Sequence, residues 1–348
     1  MKKDHIVLSV CPKCKSELTK RDNEYFCKSC QLGYPVLEKV PCMLSDVNEK
    51  LKALQKRHYE KDVLKVDSIR RAIDREGFKY NLTLKASKIS KVISSIGLFQ
   101  GAGVLDIGCR DGRLLNKIGA QFKTNNYGID ISLNQMQENV KSGLFNNDYF
   151  VADAEFLPFA ENSFDFIFCF DVLEHLPDYQ KCIKETAFVL KEGATALFYA
   201  ISKKQKYTWG WFLKKATLGL LGKGMGEVHQ REYFLSSEEA VNWCKKSGLE
   251  VEKVIYFHCF FVWAFDSLFL SVKDILGPIL NRRKKTVKQE STLAGNAEAK
   301  KSKGLIFIRV WSVFINSLLP VLEFLDIMWK KKGYSSGFFL QAKKKKRL

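Results

Sequence analysis

Residues 104 to 113, Val-Leu-Asp-Ile-Gly-Cys-Arg-Asp-Gly-Arg, constrain the fold of this chain more than any other stretch. An apolar run broken at glycine and followed by a helical pattern predicts a buried strand, a tight turn and a helix. Such a turn aims backbone N–H groups and the positive end of a helix at a nucleotide-like ligand. Val104 and Leu105 belong to the strand, Asp106 offers an acceptor at its tip, and Gly108 and Gly112 let the backbone pass close to a ligand. Alone, a loop of this kind is weak evidence. Its weight comes from three more segments placed at set distances beyond it.

Gly128-Ile-Asp-Ile-Ser132 reads as the end of a second parallel strand, with Asp130 22 residues beyond Gly108. An acidic residue about 20 positions on suits a ribose diol, because one carboxylate accepts from both hydroxyls. Tyr149-Phe-Val-Ala-Asp-Ala154 ends in Asp153, placed to accept from an adenine amino group. Phe164 to Asp171 is an apolar strand leading into Val172-Leu-Glu-His-Leu-Pro177.

These four elements, in this order and spacing, resemble the class I S-adenosylmethionine-dependent methyltransferases over roughly residues 85 to 260. The resemblance implies an α/β fold: a Rossmann-like, doubly wound, mostly parallel seven-stranded sheet. It implies S-adenosylmethionine as cofactor, with Asp106, Gly108 and Gly112 around its methionine part. Asp130 would hold the ribose, Asp153 and Ala154 the adenine, and Phe170 and Asp171 would lie beside the transferable methyl. The family's middle loop glycine is Arg110 here, a departure that bears on how tightly the cofactor binds.

Cysteine usage gives the second signal. Residues 1 to 10 carry charges and no long apolar run, so a signal peptide is not expected and a reducing cytosol is. There, paired cysteines point to metal before disulfide. Cys11-Pro-Lys-Cys14 and Cys27-Lys-Ser-Cys30 are two C-x2-C knuckles, and four thiolates close a tetrahedral structural zinc site. A redox dithiol is the other reading, though it needs only one pair. With the run from Gly33 to Leu44, the knuckles resemble the zinc-ribbon domain known as a small activator of RNA and protein methyltransferases, also found fused ahead of bacterial methyltransferase domains.

A chain of 348 residues holds two to three domains. The expected division is a zinc ribbon over 1–45, linker and lid helices over 46–95, and a methyltransferase core over 96–257. An apolar helical insertion over 258–332 and, in the antiparallel edge position that the resemblance implies, a final strand with a basic tail over 333–348 complete it. Tyr59, Arg70 and Tyr80 are candidate lid residues, although ordinary amphipathic surface helices account better for each one taken individually.

Charge is concentrated in two blocks. Residues 282–304 hold eight Lys or Arg against two Glu, and 330–348 hold eight against none, together +14 of the net +19. A catalytic face for RNA spreads its charge over the folded domain and interleaves aromatics. Here the charge is expected on a disordered linker, 282–304, and a tail. Between the blocks, Arg309, Ser312, Asn316, Pro320, Glu323 and Asp326 recur every three or four positions. They line one helical face and leave a wide apolar one. Without about 18 uncharged apolar residues in a row, a transmembrane span is not the first expectation. A helix on an anionic membrane surface fits better, and packing as extra core helices is the alternative.

Methyl transfer needs a base only if the acceptor must lose a proton. His175 and His229 are the candidates, either of which can titrate near neutral pH, and either of which can equally fix a loop. Asp171-Val-Leu-Glu stands where an Asn-Pro-Pro-Tyr-type run would signal base amino groups of nucleic acid. The insert from Lys203 to Met225, with Tyr207, Trp209, Trp211 and Phe212, forms an aromatic, basic lid suited to a small or lipid-linked acceptor, such as a quinone precursor. The chain therefore reads as a methyltransferase on the inner face of the cytoplasmic membrane. An rRNA or tRNA methyltransferase and a non-catalytic scaffold protein are the alternatives.

Overall fold

The computed structural model describes residues 9–44, 63–64, 73–143, 146–217, 234–268 and 295–346. At the N-terminus, β1 (Thr19–Arg21), β2 (Glu24–Cys27), β3 (Leu32–Leu37) and β4 (Val40–Pro41) form an antiparallel sheet in chain order. So small a sheet has little core of its own. It borrows one: Tyr34 and Met43 are buried in the same cluster as Phe150, Phe159 and Phe164 of the next domain.

That domain is built on β5 (Gly103–Ile107), β6 (Asn125–Asp130), β7 (Asp148–Val151), β8 (Phe164–Phe170), β9 (Leu190–Ile201), β10 (Leu249–Phe257) and β11 (Gly337–Lys344). Their order is β10-β11-β9-β8-β5-β6-β7. β5 to β9 run parallel, and β11 runs antiparallel between β9 and β10. The chain winds outward from β5 in one direction and returns to β8 in the other. The crevice where ligands collect in such sheets therefore lies beyond the carboxyl ends of β5 and β8. Side-chain caps fix the helix starts: Ser132 accepts from Gln135 N at the start of Leu133–Ser142, and Ser236 forms a capping box with Glu239.

Two expectations change. The last strand is not an edge strand. Phe338, Phe339 and Leu340 are fully buried and β10 takes the edge, because β11 is apolar on both faces and needs cover on both. The linker expected over 282–304 is helical from its fourteenth residue on, where the helix Gly295–Leu325 begins. Ala297, Glu298, Ala299 and Lys300 are good helix formers. Residues 282–294 lie outside the described residues, as do His229, Tyr59 and Arg70.

The ribbon extends the large sheet. Just past β4, Met43 N donates to Val151 O at 2.7 Å, Cys42 bridges to Val151 in parallel, and Val10 N donates to Pro158 O at 3.0 Å. Lys15 pairs with Glu185 and donates to Leu157 O at 2.7 Å. The exposed edge of β7 is thereby covered, which removes an aggregation-prone edge.

Candidate active site

A cavity of about 260 Å3 opens beyond the carboxyl ends of β5 and β8. Its floor is Asp106, Gly108, Cys109 and Phe170, and one wall is Asp111, Arg113 and Lys117. Its roof is the segment from Phe78 to Ile89, which includes Tyr80, Asn81 and Thr83. Thr83 caps the roof helix Leu84–Ser94 by accepting from Ala86 N. Of the residues the sequence singled out, Asp106, Gly108, Phe170 and Tyr80 line this cavity. Gly112, Asp130, Asp153, Ala154 and Asp171 do not line it.

The loop has the sharp geometry anticipated. Gly108 and Gly112 have φ of 74° and 66°, the left-handed region that glycine adopts without cost. Packing forbids a side chain at both positions as well. A Cβ on Gly108 would run into Val172 Cγ2, and one on Gly112 into the Tyr149 hydroxyl. Arg110 is also left-handed, at φ 44°, and is held there: its N–H donates to Asp130 Oδ2 at 3.0 Å, and its carbonyl accepts from Asn139 Nδ2 at 2.6 Å. Its side chain is exposed and does not line the cavity, so the family departure leaves the pocket open.

Asp106 is 4 % exposed, and burial pushes its carboxyl well above the ordinary range, with Asp130 and Asp111 adding to the effect. Burial raises Asp130 too, while the N–H groups of Ser132 and Arg110 pull it back. Lys117 is brought down to about 8 by burial, and its ammonium donates to Tyr80 O at 3.0 Å. Two acids and two cations around one small cavity match a zwitterion. This charge pattern fits the amino-acid end of S-adenosylmethionine. Arg113 and Lys117 lie one helical turn apart, a spacing visible in the sequence but meaningful only once the roof is in place.

Asp153 is buried, with Glu155 N donating to its carboxylate at 2.9 Å, and Ala154 is 9 % exposed. Both follow β7, the strand that the ribbon covers. At the rim, Asp171 has φ 55° and its carboxylate receives the Lys85 ammonium at 2.6 and 2.8 Å. The same ammonium sits 4.0 Å over the Tyr199 ring. Glu174 is fully buried, and the backbone N–H groups of Glu174 and Ile201 reach its carboxyl only weakly, neither oxygen making a hydrogen bond of full geometry. Burial raises it from 4.5 to about 8, with Asp171 adding and Lys85 opposing. Lys85 and Glu174 were not evident in the sequence, since neither follows from motif spacing. His175 ends the short turn Leu173–His175 and is partly exposed.

The roof is tied to the long helix. Asn81 N donates to Ser312 Oγ at 2.8 Å, Trp311 Nε1 to Leu82 O at 3.0 Å, and Ser87 Oγ to Asn316 Oδ1 at 2.7 Å. Lys88 pairs with Glu323 at 2.7 Å. Asp326, fully buried, accepts from the N–H groups of Phe260, Phe261 and Val262. The polar stripe expected along this helix thus faces the protein, apart from Arg309 and Pro320, which are exposed. Val310, Val313, Val321 and Phe324 point outward, 56 to 72 % exposed. Among the described residues, Ile308–Leu325 is the one stretch long and apolar enough to cross a membrane by length and composition.

In the ribbon, the sulfurs of Cys11, Cys14, Cys27 and Cys30 all lie within 4.8 Å of one another. Cys11 to Cys30 is 3.9 Å and Cys14 to Cys27 is 3.5 Å. Zinc–sulfur bonds of about 2.3 Å in a tetrahedron need sulfurs about 3.8 Å apart. Cys30 N–H points to Cys27 Sγ at 3.4 Å and the Tyr34 hydroxyl lies 3.3 Å from Cys11 Sγ, and such hydrogen bonds to sulfur stabilise thiolates. The cluster is compatible with zinc.

Residues 68–254 match the family described as a methyltransferase domain. A ubiquinone biosynthesis O-methyltransferase of Actinobacillus pleuropneumoniae is 30 % identical over 173 residues, 47 % of this chain and 71 % of that protein. One from Coxiella burnetii is 29 % identical over 163 residues, 46 % of this chain and 68 % of that protein. Among solved structures, a Haemonchus contortus phosphoethanolamine N-methyltransferase 2 in complex with S-adenosyl-L-methionine aligns with a TM-score of 0.48 at 18 % identity. That alignment covers 88 % of this chain and 62 % of the other.

Proposed function

The chain belongs to the methyltransferase family and uses S-adenosylmethionine as its donor, and from that premise we propose that its acceptor is a small or lipid-linked molecule met at a membrane surface. The observation that carries this reading is the long helix, which buries Ile315 and Leu319 in the core yet keeps a second apolar face outward. A soluble surface helix turns its polar residues to water and its apolar ones inward. Here Ser312, Asn316, Glu323 and Asp326 bond inward and Val313, Val321 and Phe324 face out. A contiguous exposed apolar face of this kind suits a lipid or protein contact, and the lysines directly after it, Lys330, Lys331 and Lys332, favour an anionic bilayer. The inner face of the cytoplasmic membrane is the setting proposed. Because the inward side of the helix bonds to the cavity roof, docking would bring the pocket to the bilayer.

S-adenosylmethionine supplies an electrophilic methyl on a sulfonium, and what the chain supplies is alignment and exclusion of water. In this reading Asp106 takes the donor's ammonium, and Arg113 with Lys117 takes its carboxylate. Asp130 accepts from the ribose hydroxyls and Asp153 with Ala154 meets the adenine. Phe170 and Asp171 border the reacting centre, where Lys85 fixes the Asp171 carboxylate. Cys11, Cys14, Cys27 and Cys30 hold a structural zinc, and His175 and His229 stay candidate bases. The relatives named for ubiquinone biosynthesis support a quinone precursor as the acceptor class.

Flotation with vesicles containing anionic lipid tests the membrane reading. The full chain is expected to float. The Val313→Asp, Phe324→Asp double variant is expected to stay in solution while binding S-adenosylmethionine as before. A wild-type protein that does not float refutes the reading.

A further inference from the structure

The helix Arg113–Phe122, which follows the cofactor loop, opens with a charge pattern that its own geometry disfavours. The first turn of a helix carries the positive end of the dipole and favours acids. Here that turn holds no acid, and Arg113 and Lys117 stand there on one face, a turn apart. Both line the cavity. The charge that offsets them comes from an earlier part of the chain. Asp74 is fully buried, and its Oδ1 lies 3.9 Å from Arg113 Nε.

The segment that carries Asp74 is clamped onto this helix. Gly77 has φ 60° and packs so closely that an added Cβ would stand 3.0 Å from Gln121 Cβ and 3.4 Å from Lys117 O. Phe78 N donates to Gln121 Oε1 at 3.1 Å. The Phe78 ring lies 5.7 Å from the Lys117 ammonium, which donates to Tyr80 O. Ile73, Phe78 and Tyr80 line the cavity too. The short stretch 73–80 thus supplies part of the cavity lining and also the counter-charge for the cations facing it. Burial presses Lys117 towards its neutral form, Asp74 opposes this, and Arg113 adds to it.

Asp74 meets Arg113 at Nε. The two terminal nitrogens stay available for a two-point grip on a carboxylate, the arrangement in which a guanidinium binds one best. The Arg113 side chain is 52 % exposed, and among the described residues Asp74 is the acid its guanidinium pairs with. Without that anchor, a long exposed side chain spreads over many rotamers and loses their entropy when it binds.

We propose that Asp74 is a positioning residue of the donor site: its buried carboxylate holds the Arg113 guanidinium at the cavity wall, with the terminal nitrogens turned to the donor's carboxylate. This rests on the reading above, in which Arg113 and Lys117 take that carboxylate, and deepens it. Asp74 touches neither donor nor acceptor and acts through Arg113. With it in place the trio carries one cation in excess, matched to a single carboxylate. The preference it confers is for ligands whose amino-acid end is intact, S-adenosylmethionine and S-adenosylhomocysteine. 5′-Methylthioadenosine, which keeps the adenosine and the sulfur but has no carboxylate, gains nothing from it.

The test titrates the full, zinc-loaded chain calorimetrically with S-adenosylhomocysteine and with 5′-methylthioadenosine. Wild type should prefer the first, and the ratio of the two affinities reads the amino-acid end alone. Asp74→Asn, equal in size and uncharged, should weaken S-adenosylhomocysteine roughly 10-fold and 5′-methylthioadenosine by less than about twofold. Loosened packing of the roof would weaken both probes alike, so the ratio separates positioning from a structural role. Arg113→Gln should lower the same ratio, and adding Asp74→Asn to it should lower the ratio by less than about twofold more, because the two residues act as one unit. A ratio in Asp74→Asn within about twofold of wild type overturns the proposal, as does an equal loss for both probes. If Arg113→Gln still lowers the ratio in that case, the carboxylate reading stands without Asp74. If neither Arg113→Gln nor Lys117→Met lowers it, that reading falls with the proposal. Should Asp74→Asn not fold, Asp74→Ser is held to the same ratio.

Discussion

Replacing Glu174 with glutamine should make the protein more stable, and increasingly so as pH rises. The carboxyl is fully buried beside Asp171, and its folded-state pKa of about 8 stands above the ordinary value of 4.5. Below pH 4.5 the group is protonated whether the chain is folded or not. Between 4.5 and 8 the unfolded chain loses the proton while the folded chain keeps it, so stability falls as pH rises through that window. Each unit corresponds to about 1.4 kcal/mol, giving an upper bound of about 5 kcal/mol for the whole shift. From pH 6.0 to 7.5 the difference between Glu174→Gln and wild type should widen by about 2 kcal/mol. Urea unfolding of both proteins at the two pH values measures it, and the histidines, common to both, cancel. A difference that stays constant to within about 0.5 kcal/mol would show that Glu174 is ionised in the folded protein. The outcome bears on function, because a neutral Glu174 leaves Asp171 as the charge that pairs with Lys85 at the rim among the described residues.

Asp130→Ala should weaken S-adenosylmethionine binding roughly 10- to 100-fold, the loss of hydrogen bonds to a charged carboxylate, as read by calorimetry. Arg110→Gly should change that affinity by no more than about twofold, because the Arg110 side chain is exposed and outside the cavity. A larger tightening would mean that the arginine does narrow the loop. Cys27→Ser, or chelation, should release about one zinc per chain and open the ribbon to limited proteolysis. It should also weaken S-adenosylmethionine binding, since Met43 N is bonded to Val151 just ahead of Asp153 and Ala154. Cysteine variants that keep affinity would show that the ribbon does not support the adenine side. Asp326→Ala should lower the melting temperature by several degrees, because three N–H groups at the start of helix 261–268 lose their acceptor.

The parts legible in the sequence are those set by local chemistry. The apolar strands, the left-handed glycines at 108 and 112, the acidic residues closing β5 and β6, and the two C-x2-C knuckles each occupy a few consecutive residues. Their backbone state and spacing are written in residue type. The seven-stranded sheet, the cavity floor at Asp106, Gly108 and Phe170, and the four-sulfur cluster follow from them. The polar period of residues 309–326 was equally legible as a helix with two unlike faces.

Which face turns inward was not legible, because periodicity gives the stripe and not what it meets. Ser312 and Asn316 face the protein only because the roof presents Asn81 N and Ser87 Oγ, more than two hundred residues earlier in the chain. Nor did spacing show that β11 would slip between β9 and β10, or that Lys85 would find Asp171. The His258–Asp266 pair, eight residues apart, has no spacing that signals a function. Local sequence determines what each segment is. Tertiary packing, by pairing polar groups that no local pattern relates and burying charges such as Glu174, decides which of them meet at the site.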